Sequence, residues 1–499
     1  MWDELKSLFK HTTIYGVGGL LGKMAGFLLI PFYTHYLSTR EYGTLELLDL
    51  SLSLTGLILN VVVAAPLVRF FYDHENEDER RKVVSTALIA AAVGAFAISA
   101  CGLIFASRFS SLLLKTPQFA LYIRVISGSF FLMCVNSVAW NYLRARERST
   151  LIVSVNLASL VVMLSLNIYF IAGLHMGVLG VLCSGLIGHL LNTSIIGTQT
   201  LRFSGLHFDF SKMAAMAKFG APMIVSSLAG FLLNFSDRFF LQHYRTISDV
   251  GVYALGYKFG FMLNFLLIQP FFMIWPPRLY ALSKRDDARE TVSRVGTYFC
   301  LILTTGVLFL AATIHDVIRV IAGPDYQAAY TIVPLIALAY LCQGMTSYFQ
   351  VPLFLTKKTP YIALTGAVGG VLNIVLNWTL ISRFGAMGAA WATFLSFAFV
   401  AIMSFVVSQQ IYRVPYQVFR LCAPIAGAAV VYVLSEMVSL SSPFLSAAVK
   451  AAFVPAFFVA MYLLGFFDQR EVDKLRSLGR SLRRYRVGTA VAVGGRNEL

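Results

Sequence analysis

The chain has 499 residues, of which 58% are hydrophobic and only 13% charged, and its mean hydropathy is +0.73. A soluble protein of this length could not bury so much apolar side chain, because surface area grows too fast with size. The formal net charge of +16 requires no nucleic acid partner, since basic segments are attracted to an anionic membrane surface. Composition therefore excludes an ordinary soluble protein and predicts an all-α polytopic membrane protein.

Apolar runs of roughly 20 residues, the length that a helix needs to cross a hydrocarbon core about 30 Å thick, recur along the chain. Inside lipid every backbone N–H and C=O must be paired within its own element, so these runs are predicted to be helices. We number the predicted transmembrane helices 1 to 14 in chain order: 12–36, 43–70, 83–106, 118–143, 150–171, 177–199, 214–241, 250–278, 292–315, 328–355, 361–381, 386–411, 416–437 and 446–467. No small-residue cleavage site follows the first span, so we expect it to be retained.

The distribution of basic residues predicts the orientation. If the N-terminus is cytoplasmic, the cytoplasmic segments contain 28 Lys and Arg residues and the opposite loops contain six. Cytoplasmic loops of membrane proteins have such an excess, and a missed or invented helix would scramble it. The sequence thus predicts two cytoplasmic termini, with residues 468–499 forming a basic cytoplasmic tail.

A ten-residue pattern recurs, in which His35, Tyr36 and Gly43 are repeated as His243, Tyr244 and Gly251 and Glu41 corresponds to Asp249. THYLSTREYG, residues 34–43, is followed 208 residues later by QHYRTISDVG, residues 242–251. Two glycines repeat at the same offset, since Gly177 and Gly180 correspond to Gly385 and Gly388. The first match follows spans 1 and 7, and the second begins spans 6 and 12. The offset therefore covers six spans, and an even number keeps both copies in the same orientation.

This repeat predicts the domain organisation. We expect two parallel six-helix bundles, residues 1–206 and 207–412, related by a pseudo-twofold axis along the membrane normal. Residues 413–467 would form two additional transmembrane helices. Parallel repeats of this kind are a common framework of alternating-access transporters, whose substrate site lies at the interface between the repeats.

Several ionisable residues lie inside the predicted spans. A charge at the bilayer centre costs at least about 2.5–3.5 kcal/mol, so such residues are functional candidates. Lys23 lies near the middle of span 1, and Lys258 lies in span 8 at the depth that the repeat assigns to Asp49. The remaining charged candidates are Arg124 in span 4 and Asp237 and Arg238 at the end of span 7. Arg124 and Arg238 could instead extend to the surface, and Asp237 could pair with a neighbour.

Span 2 combines charge with polarity on one face. Glu46, Asp49, Ser53, Gly56 and Asn60 are spaced 3, 4, 3 and 4 residues apart, which places them on one helix face. This face is predicted to line a polar cavity, although Glu46 could be solvated at the surface. Polar residues also recur on spans 5, 10 and 11, where they could line the cavity or form interhelical hydrogen bonds.

The chain resembles the polysaccharide transporter, or Wzx-type flippase, family of the multidrug/oligosaccharidyl-lipid/polysaccharide (MOP) superfamily. The segments that show the resemblance are YGVGGLLGKMAGFLLIPFYTHYLSTREYGTLEL, FGAPMIVSSLAGFLLNFSDRFFLQHYRTISDVGVYALGYK and GAMGAA. The resemblance implies transport of an undecaprenyl-pyrophosphate-linked oligosaccharide across the bacterial cytoplasmic (inner) membrane, for lipopolysaccharide O-antigen or exopolysaccharide synthesis. It also implies basic cavity residues for the pyrophosphate, which we assign first to Lys23 and Lys258, then to Arg124 and Arg238.

We therefore expect an alternating-access flippase, with Asn60 among the substrate-binding residues. Glu46, Asp49 and Asp237 would pair with the cations or bind a coupling ion, either H⁺ or Na⁺. The expected partners are the lipid-linked oligosaccharide, membrane lipids and polysaccharide assembly enzymes.

Two other functions compete with this expectation. One is a multidrug or cation antiporter of the same superfamily. The other is a membrane glycan polymerase or ligase, which would need a sizeable external loop, whereas no predicted outer loop exceeds about a dozen residues. No Walker A or HExxH motif occurs, and the six cysteines lie in apolar runs without a CxxC pair. We accordingly expect no catalytic residues, no metal and no cofactor.

Overall fold

The computed structural model describes residues 26–282, 285–438 and 440–467. Within these ranges the secondary structure is helical with no β-strand, and twelve helices are long and apolar enough to cross a membrane. The prediction of an all-α polytopic membrane protein is therefore confirmed.

We number the helices α1 to α14 to match the predicted spans. Their bounds are 26–36 for the described part of α1, Thr39–Tyr72 (α2), Glu77–Ile104 (α3), Pro117–Ala145 (α4), Ser149–Gly173 (α5), Gly177–Ser204 (α6), Phe210–Tyr244 (α7), Ile247–Pro276 (α8), Ala288–Ile321 (α9), Pro324–Leu355 (α10), Pro360–Leu376 continued by Asn377–Ile381 (α11), Ser382–Ile411 (α12), Val418–Glu436 (α13) and Pro443–Leu463 (α14). A short helix, Ala106–Leu114, lies between α3 and α4.

The repeated glycines mark the entry to α6 and α12. Helices α11 and α12 form one apolar helical stretch of 52 residues, but Gly385 breaks its backbone with φ 59° and ψ −132°. Gly177, the equivalent residue of the first copy, has φ 55° at the start of α6. A positive φ is unfavourable for a residue with a Cβ atom, which explains why glycine occupies both positions.

The chain divides into two compact units. The first unit contains Met1–Tyr280 and Val317–Arg413, and the second contains Ala281–Asp316 and Val414–Leu499. Most of α9 thus belongs to the second unit, together with α13 and α14. The division by sequence repeat at residues 206 and 412 follows internal symmetry rather than compactness, and it stays a prediction.

The repeated ten-residue stretch forms the same local structure twice. Ser38 caps α2, accepting a hydrogen bond from the N–H of Glu41, while the Glu41 carboxylate accepts one from the N–H of Ser38. Thr246 and Asp249 form the equivalent capping box at the start of α8. Each box satisfies two N–H groups that a helix terminus otherwise leaves unpaired, so the conserved spacing within the repeat has a direct structural cause.

Helices α2 and α8 cross in backbone contact just after these boxes. A Cβ atom added to Gly43 would overlap the carbonyl oxygen of Ile247, and one added to Gly251 would overlap that of Thr39. The two contacts are exchanged by the 208-residue offset, as in an interface around a twofold axis. Small residues permit such close approach of transmembrane helices. The crossing therefore supplies direct structural support for a pseudo-twofold relation between the two copies.

We call the end of the first unit that contains residues 37–41 and 245–249 the turn end. Three further contacts join the two sequence copies there. Tyr326 donates a hydrogen bond to the carbonyl oxygen of Leu37 at 3.0 Å. The side chains of Lys115 and Gln242 donate to the carbonyl oxygens of His243 and Leu113, at 3.1 and 2.6 Å. The crossing and these hydrogen bonds close the turn end.

The second unit has its own core and a buried ion pair. Leu308 of α9 packs with Val431 of α13 and Phe457 of α14. Lys450 of α14 lies 3.4 Å from the carboxylate of Asp316 of α9, and both residues are 4% exposed. A buried charge is strongly destabilising if its partner is removed, so this pair links α14 to α9.

The crossing predicts that an added methyl group destabilises the protein where it meets the opposing helix and not elsewhere. Gly43→Ala and Gly251→Ala should each destabilise the protein by about 1–3 kcal/mol, because the added methyl overlaps a carbonyl oxygen that belongs to rigid backbone. Gly185→Ala in α6 is the matched control, since its added Cβ meets no described atom within 4 Å. Thermal unfolding of the purified variants measures the difference. Equal melting temperatures for all three would contradict the close crossing.

Candidate functional site

Four of the predicted site residues converge just inside the turn-end crossing. Glu46 follows Gly43 by one turn of α2, Lys258 lies two turns beyond Gly251 in α8, and Asp237 and Arg238 lie in the last third of α7. Helices α2, α7 and α8 therefore bring the charged groups of both sequence copies together. At 1.5 Å per residue the cluster lies roughly 10–16 Å inside the turn end, a distance comparable with half of a hydrocarbon core about 30 Å thick.

Arg238 is the most deeply buried member of this cluster. It is 1% exposed, and its Nη1 lies 2.6 Å from Asp237 Oδ1 and 2.7 Å from the carbonyl oxygen of Asn234. Its guanidinium carbon lies 3.7 Å from the ring centroid of Tyr257, in the geometry of a cation–π contact. Arg238 Nε has no hydrogen-bond partner within the described chain, and it lies 3.9 Å from Glu46 Oε1.

Asp237 is surrounded by hydrogen-bond donors. Its Oδ2 accepts from the hydroxyl of Tyr253 at 2.5 Å and from that of Thr393 at 3.3 Å, while Oδ1 accepts from Arg238. The residue is 2% exposed. A buried ion pair is tolerated when its remaining lone pairs are satisfied in this way. Asp237 and Arg238 therefore form a hydrogen-bonded neutral pair that fixes α7 against α8 and α12.

Lys258 differs from Arg238 in its accessibility. Its Nζ donates to the Tyr42 hydroxyl at 2.9 Å and lies 3.5 Å from Glu46 Oε2. The side chain of Lys258 is 43% exposed, whereas that of Glu46 is 13% exposed. The ammonium group is thus held by a tyrosine and a carboxylate but can still meet a ligand. Among the predicted cations of the described chain, only this one is both paired in the cluster and open.

Asp49 lies about one turn beyond Glu46 on the same face of α2. It is exposed, and no hydrogen bond or ion pair joins its carboxylate to any described residue. Within the described ranges the cluster thus contains two cations, Arg238 and Lys258, and three carboxylates.

The other three predicted residues lie elsewhere or outside the described chain. Arg124 of α4 is exposed, and it forms no ion pair or hydrogen bond with a described residue. Lys23 lies outside the described residues. Asn60 accepts a hydrogen bond from Ser137 at 3.1 Å. It lines a cavity of about 450 Å³ away from the charged cluster, together with Ser53, Ser137 and Ser227. Most of the remaining lining is apolar, including Leu57, Leu59 and Met133. Ser227 belongs to the second sequence copy, so this cavity lies between the copies.

The asparagines of α5 and α11 resolve an alternative that the sequence left open. Asn373 and Asn377 are 1% and 0% exposed, and they share hydrogen bonds with Ser236 of α7 at 3.0 Å. Asn167 of α5 accepts from Ser184 of α6 at 2.7 Å. These three side chains form interhelical hydrogen bonds, which is the second of the two alternatives that the sequence left open.

Sequence reasoning missed the tyrosines around the charges. Tyr42, Tyr253 and Tyr257 contact the cations or Asp237, and Tyr340 donates to the Tyr257 hydroxyl at 2.9 Å. A tyrosine in an apolar span carries no charge, so the search for ionisable residues passed over it. The available signal was the spacing of Tyr253 and Tyr257, four residues apart and therefore on the same face of α8.

The Arg238–Asp237 pair predicts a non-additive effect on stability. Arg238→Met should cost about 3–5 kcal/mol, because it leaves the Asp237 carboxylate buried without its cation. Adding Asp237→Asn should recover part of that loss, since the remaining amide is neutral. Arg124→Met is the control and should change stability little. Thermal unfolding of the wild type, Arg238→Met, Asp237→Asn, the double variant and the Arg124→Met control tests this, and strictly additive single effects would argue against a coupled pair.

The chain is similar to known transport proteins in sequence and in fold. A family described as "Polysaccharide biosynthesis protein" matches residues 8–283. The succinoglycan biosynthesis transport protein ExoT of Rhizobium meliloti (strain 1021) is 20% identical over 386 residues, which cover 74% of this chain and 76% of that protein.

Two solved structures show the fold. The lipid II flippase MurJ in an inward closed conformation has a TM-score of 0.74 at 12% identity, covering 90% of this chain and 100% of that chain. An inward-facing multidrug resistance MATE family transporter of the MOP superfamily has a TM-score of 0.61 at 13% identity, covering 81% and 95%. The chain therefore belongs to the polysaccharide biosynthesis protein family and has the fold of MOP-superfamily transporters.

Proposed function

We propose that this protein is a flippase that moves an undecaprenyl-pyrophosphate-linked oligosaccharide across the bacterial cytoplasmic membrane by alternating access. The single observation that carries the proposal is the accessible Lys258 ammonium, held near mid-membrane depth between two sequence copies that cross at the turn end. Fixed cations of this kind bind diphosphate groups. A charge at that depth is energetically costly in lipid, so its presence indicates a functional role. The coarser function, transport for polysaccharide biosynthesis, follows from the family and the fold.

The cluster suggests how a diphosphate would be accommodated. Lys258 would exchange its contact with Glu46 for a phosphate oxygen, and Lys23 would supply a second cation. Arg238 would act mainly by holding Glu46 and Asp237 in place, because it is almost fully buried. The polar face of α2, including Asn60, would contact the glycan, while the polyprenyl chain would stay in lipid.

Alternating access requires the turn end to open. The contacts that would break are the α2–α8 crossing and the hydrogen bonds of Tyr326, Lys115 and Gln242 to backbone carbonyl groups of the other copy. We infer the orientation from the excess of Lys and Arg in the loops at the other end of the helices, which would put both termini in the cytoplasm and the turn end outside. Release of the glycan to the outer leaflet would therefore follow separation of the two copies at this end.

Lys258 predicts a charge-specific loss of transport. Lys258→Ala should reduce export roughly tenfold to a hundredfold, the effect of losing one hydrogen bond to a charged group. Lys258→Arg should retain more activity because it keeps the cation. Lys358→Ala removes an exposed lysine outside the cluster and should leave export unchanged. The measurement is transfer of a defined polyprenyl-diphosphate-linked glycan between the leaflets of reconstituted vesicles, normalised to folded protein. Wild-type transfer by Lys258→Ala would contradict the site.

We further propose that Asp49 and Glu46 bind the coupling ion, H⁺ or Na⁺. Asp49 is accessible and has no described partner, whereas Glu46 contacts both cations. Neutralising Glu46 by a proton would release Lys258 for the substrate, and Na⁺ bound at the two carboxylates would have a similar effect.

The coupling proposal predicts that Asp49→Asn removes the response to an ion gradient. Wild-type vesicles should flip the lipid-linked glycan faster when a pH gradient or a Na⁺ gradient is imposed. The variant should transport at the basal rate with and without the gradient. Ser53→Ala, one turn further along the same face of α2, is the matched control and should keep the response. A variant that responds to the gradient like the wild type would assign coupling to other groups.

A multidrug or cation antiporter is the second candidate. The observation that favours it is the surplus of carboxylates in the described cluster, enclosed by four tyrosines, which suits a lipophilic cation. Uptake of a fluorescent cationic dye into vesicles, driven by an ion gradient, distinguishes the two functions. Dye transport by a protein that does not flip lipid-linked glycan would favour the antiporter and overturn the flippase.

A further inference from the structure

A basic pocket lies at the turn end, outside the cluster described above. Its volume is about 330 Å³, and its lining includes the side chains of Arg40, Lys115 and Arg245 together with Thr116 and Thr246. Arg40 and Lys115 come from the first sequence copy and Arg245 from the second. No carboxylate lines the pocket. We call this feature the turn-end basic pocket.

The groups next to the three cations of this pocket are neutral. Lys115 Nζ donates to the carbonyl oxygen of His243 at 3.1 Å, and Arg245 Nη2 donates to that of Arg383 at 3.0 Å. The Arg40 guanidinium lies 5.9 Å from the centroid of the Phe119 ring. None of the three has a carboxylate oxygen within 4.0 Å in the described chain. Lys115 and Arg245 are thus oriented by backbone hydrogen bonds, and the charge of all three exposed cations stays unneutralised.

The acidic residues nearest in sequence are already engaged. Glu41 accepts hydrogen bonds from the backbone and hydroxyl of Ser38, and Asp249 accepts those of Thr246. These carboxylates complete the capping boxes and do not line the pocket. An anion carrying several oxygens could therefore bind all three cations without displacing an existing ion pair, and arginine and lysine are the usual phosphate ligands.

An apolar cavity adjoins the basic pocket. It has a volume of about 620 Å³ and is lined by Phe109, Leu112, Ile126 and Phe239, among others. Gln242 lines both cavities. Phe109 and Leu112 lie on one face of the short helix Ala106–Leu114 and are 40% and 78% exposed. In a membrane protein, exposed apolar side chains near the ends of the transmembrane helices lie at the depth where the acyl chains of the lipids begin.

We propose that the turn-end basic pocket and the adjoining apolar cavity form one binding site for an anionic membrane phospholipid. The phosphate would contact Arg40, Lys115 and Arg245, and one acyl chain would lie against Phe109, Leu112 and Phe239. Because the pocket is built from both sequence copies, the bound lipid stabilises their contact at the turn end. This inference is independent of which substrate the transporter carries.

A lipid-binding measurement on the full-length protein tests the proposal. Native mass spectrometry would compare phosphatidylglycerol with phosphatidylcholine of identical chain length. We expect phosphatidylglycerol to bind the wild type more tightly, and its affinity to fall roughly fivefold for each cation removed by Arg40→Gln or Lys115→Gln. Arg108→Gln is the control. Arg108 lies in the short helix Ala106–Leu114 but does not line the pocket, so its removal should not change the affinity.

Two additional arms define the ligand. Leu112→Trp should weaken binding of phosphatidylglycerol by filling the apolar cavity while leaving all three cations in place. Inorganic phosphate at millimolar concentration should not compete, because it has no chain. The proposal is overturned if phosphatidylcholine binds equally well, if Arg108→Gln has the same effect as Lys115→Gln, or if inorganic phosphate displaces the lipid.

Binding of polyprenyl phosphate, measured in the same way, distinguishes the two possible ligands, which are a membrane phospholipid and the transported lipid. Preferential binding of phosphatidylglycerol supports a membrane phospholipid, whereas preferential binding of polyprenyl phosphate would assign the pocket to the transported lipid and contradict the proposal. Thermal unfolding in phosphatidylcholine shows whether each variant is folded. The Lys115→Gln variant alters one exposed side chain, so it serves as the decisive variant if another substitution prevents folding.

Discussion

The backbone contact between α2 and α8 is the constraint on which the rest of the structure depends. Two glycines allow each helix to place its backbone against a carbonyl oxygen of the other, and two capping boxes fix where the helices begin. Any larger side chain at either glycine would separate the helices. The residues that follow on each helix are then brought to a defined distance from one another. Glu46 reaches Lys258 because their helices diverge from a common crossing only one to two turns away.

The charged groups below the crossing divide into a fixed pair and an accessible set. Arg238 and Asp237 are buried, hydrogen bonded and in contact with two tyrosines, Tyr253 and Tyr257, and such support allows two opposite charges to persist in low dielectric. Lys258 and Asp49 are exposed, and Glu46 lies between the two sets. A transporter needs both properties, because a site that binds and releases its ligand must be supported by groups that do not move. The turn end also combines support with accessibility, because backbone carbonyl oxygens hold Lys115 and Arg245 without neutralising their charge.

Much of the architecture could be predicted from the sequence because it depends on patterns of one helix at a time. Apolar run length predicted the spans, and the offset of 208 residues identified Gly43 and Gly251 as equivalent positions, although not their contact. The contacts between helices were harder to predict, since periodicity defines the face of a residue but not the helix that the face meets. Arg124 therefore lies apart from the cluster, although its depth resembled that of the other cations. Lys450 and Asp316 were not selected as candidates, since each lies near the end of a predicted span, where a charged side chain can reach the surface. Only the fold shows that they pair. The site remains a prediction in its functional role.

The central claim is that the two sequence copies separate at the turn end when the transporter carries its substrate. Tyr36 and Tyr244 are equivalent under the repeat and lie at this end, so spin labels on cysteines at these positions would report the separation by double electron–electron resonance. We expect a short distance without substrate and an additional, longer distance when polyprenyl-diphosphate-linked glycan is present in the vesicles. A single unchanged distance, in a protein that still flips the glycan, would contradict alternating access through this end.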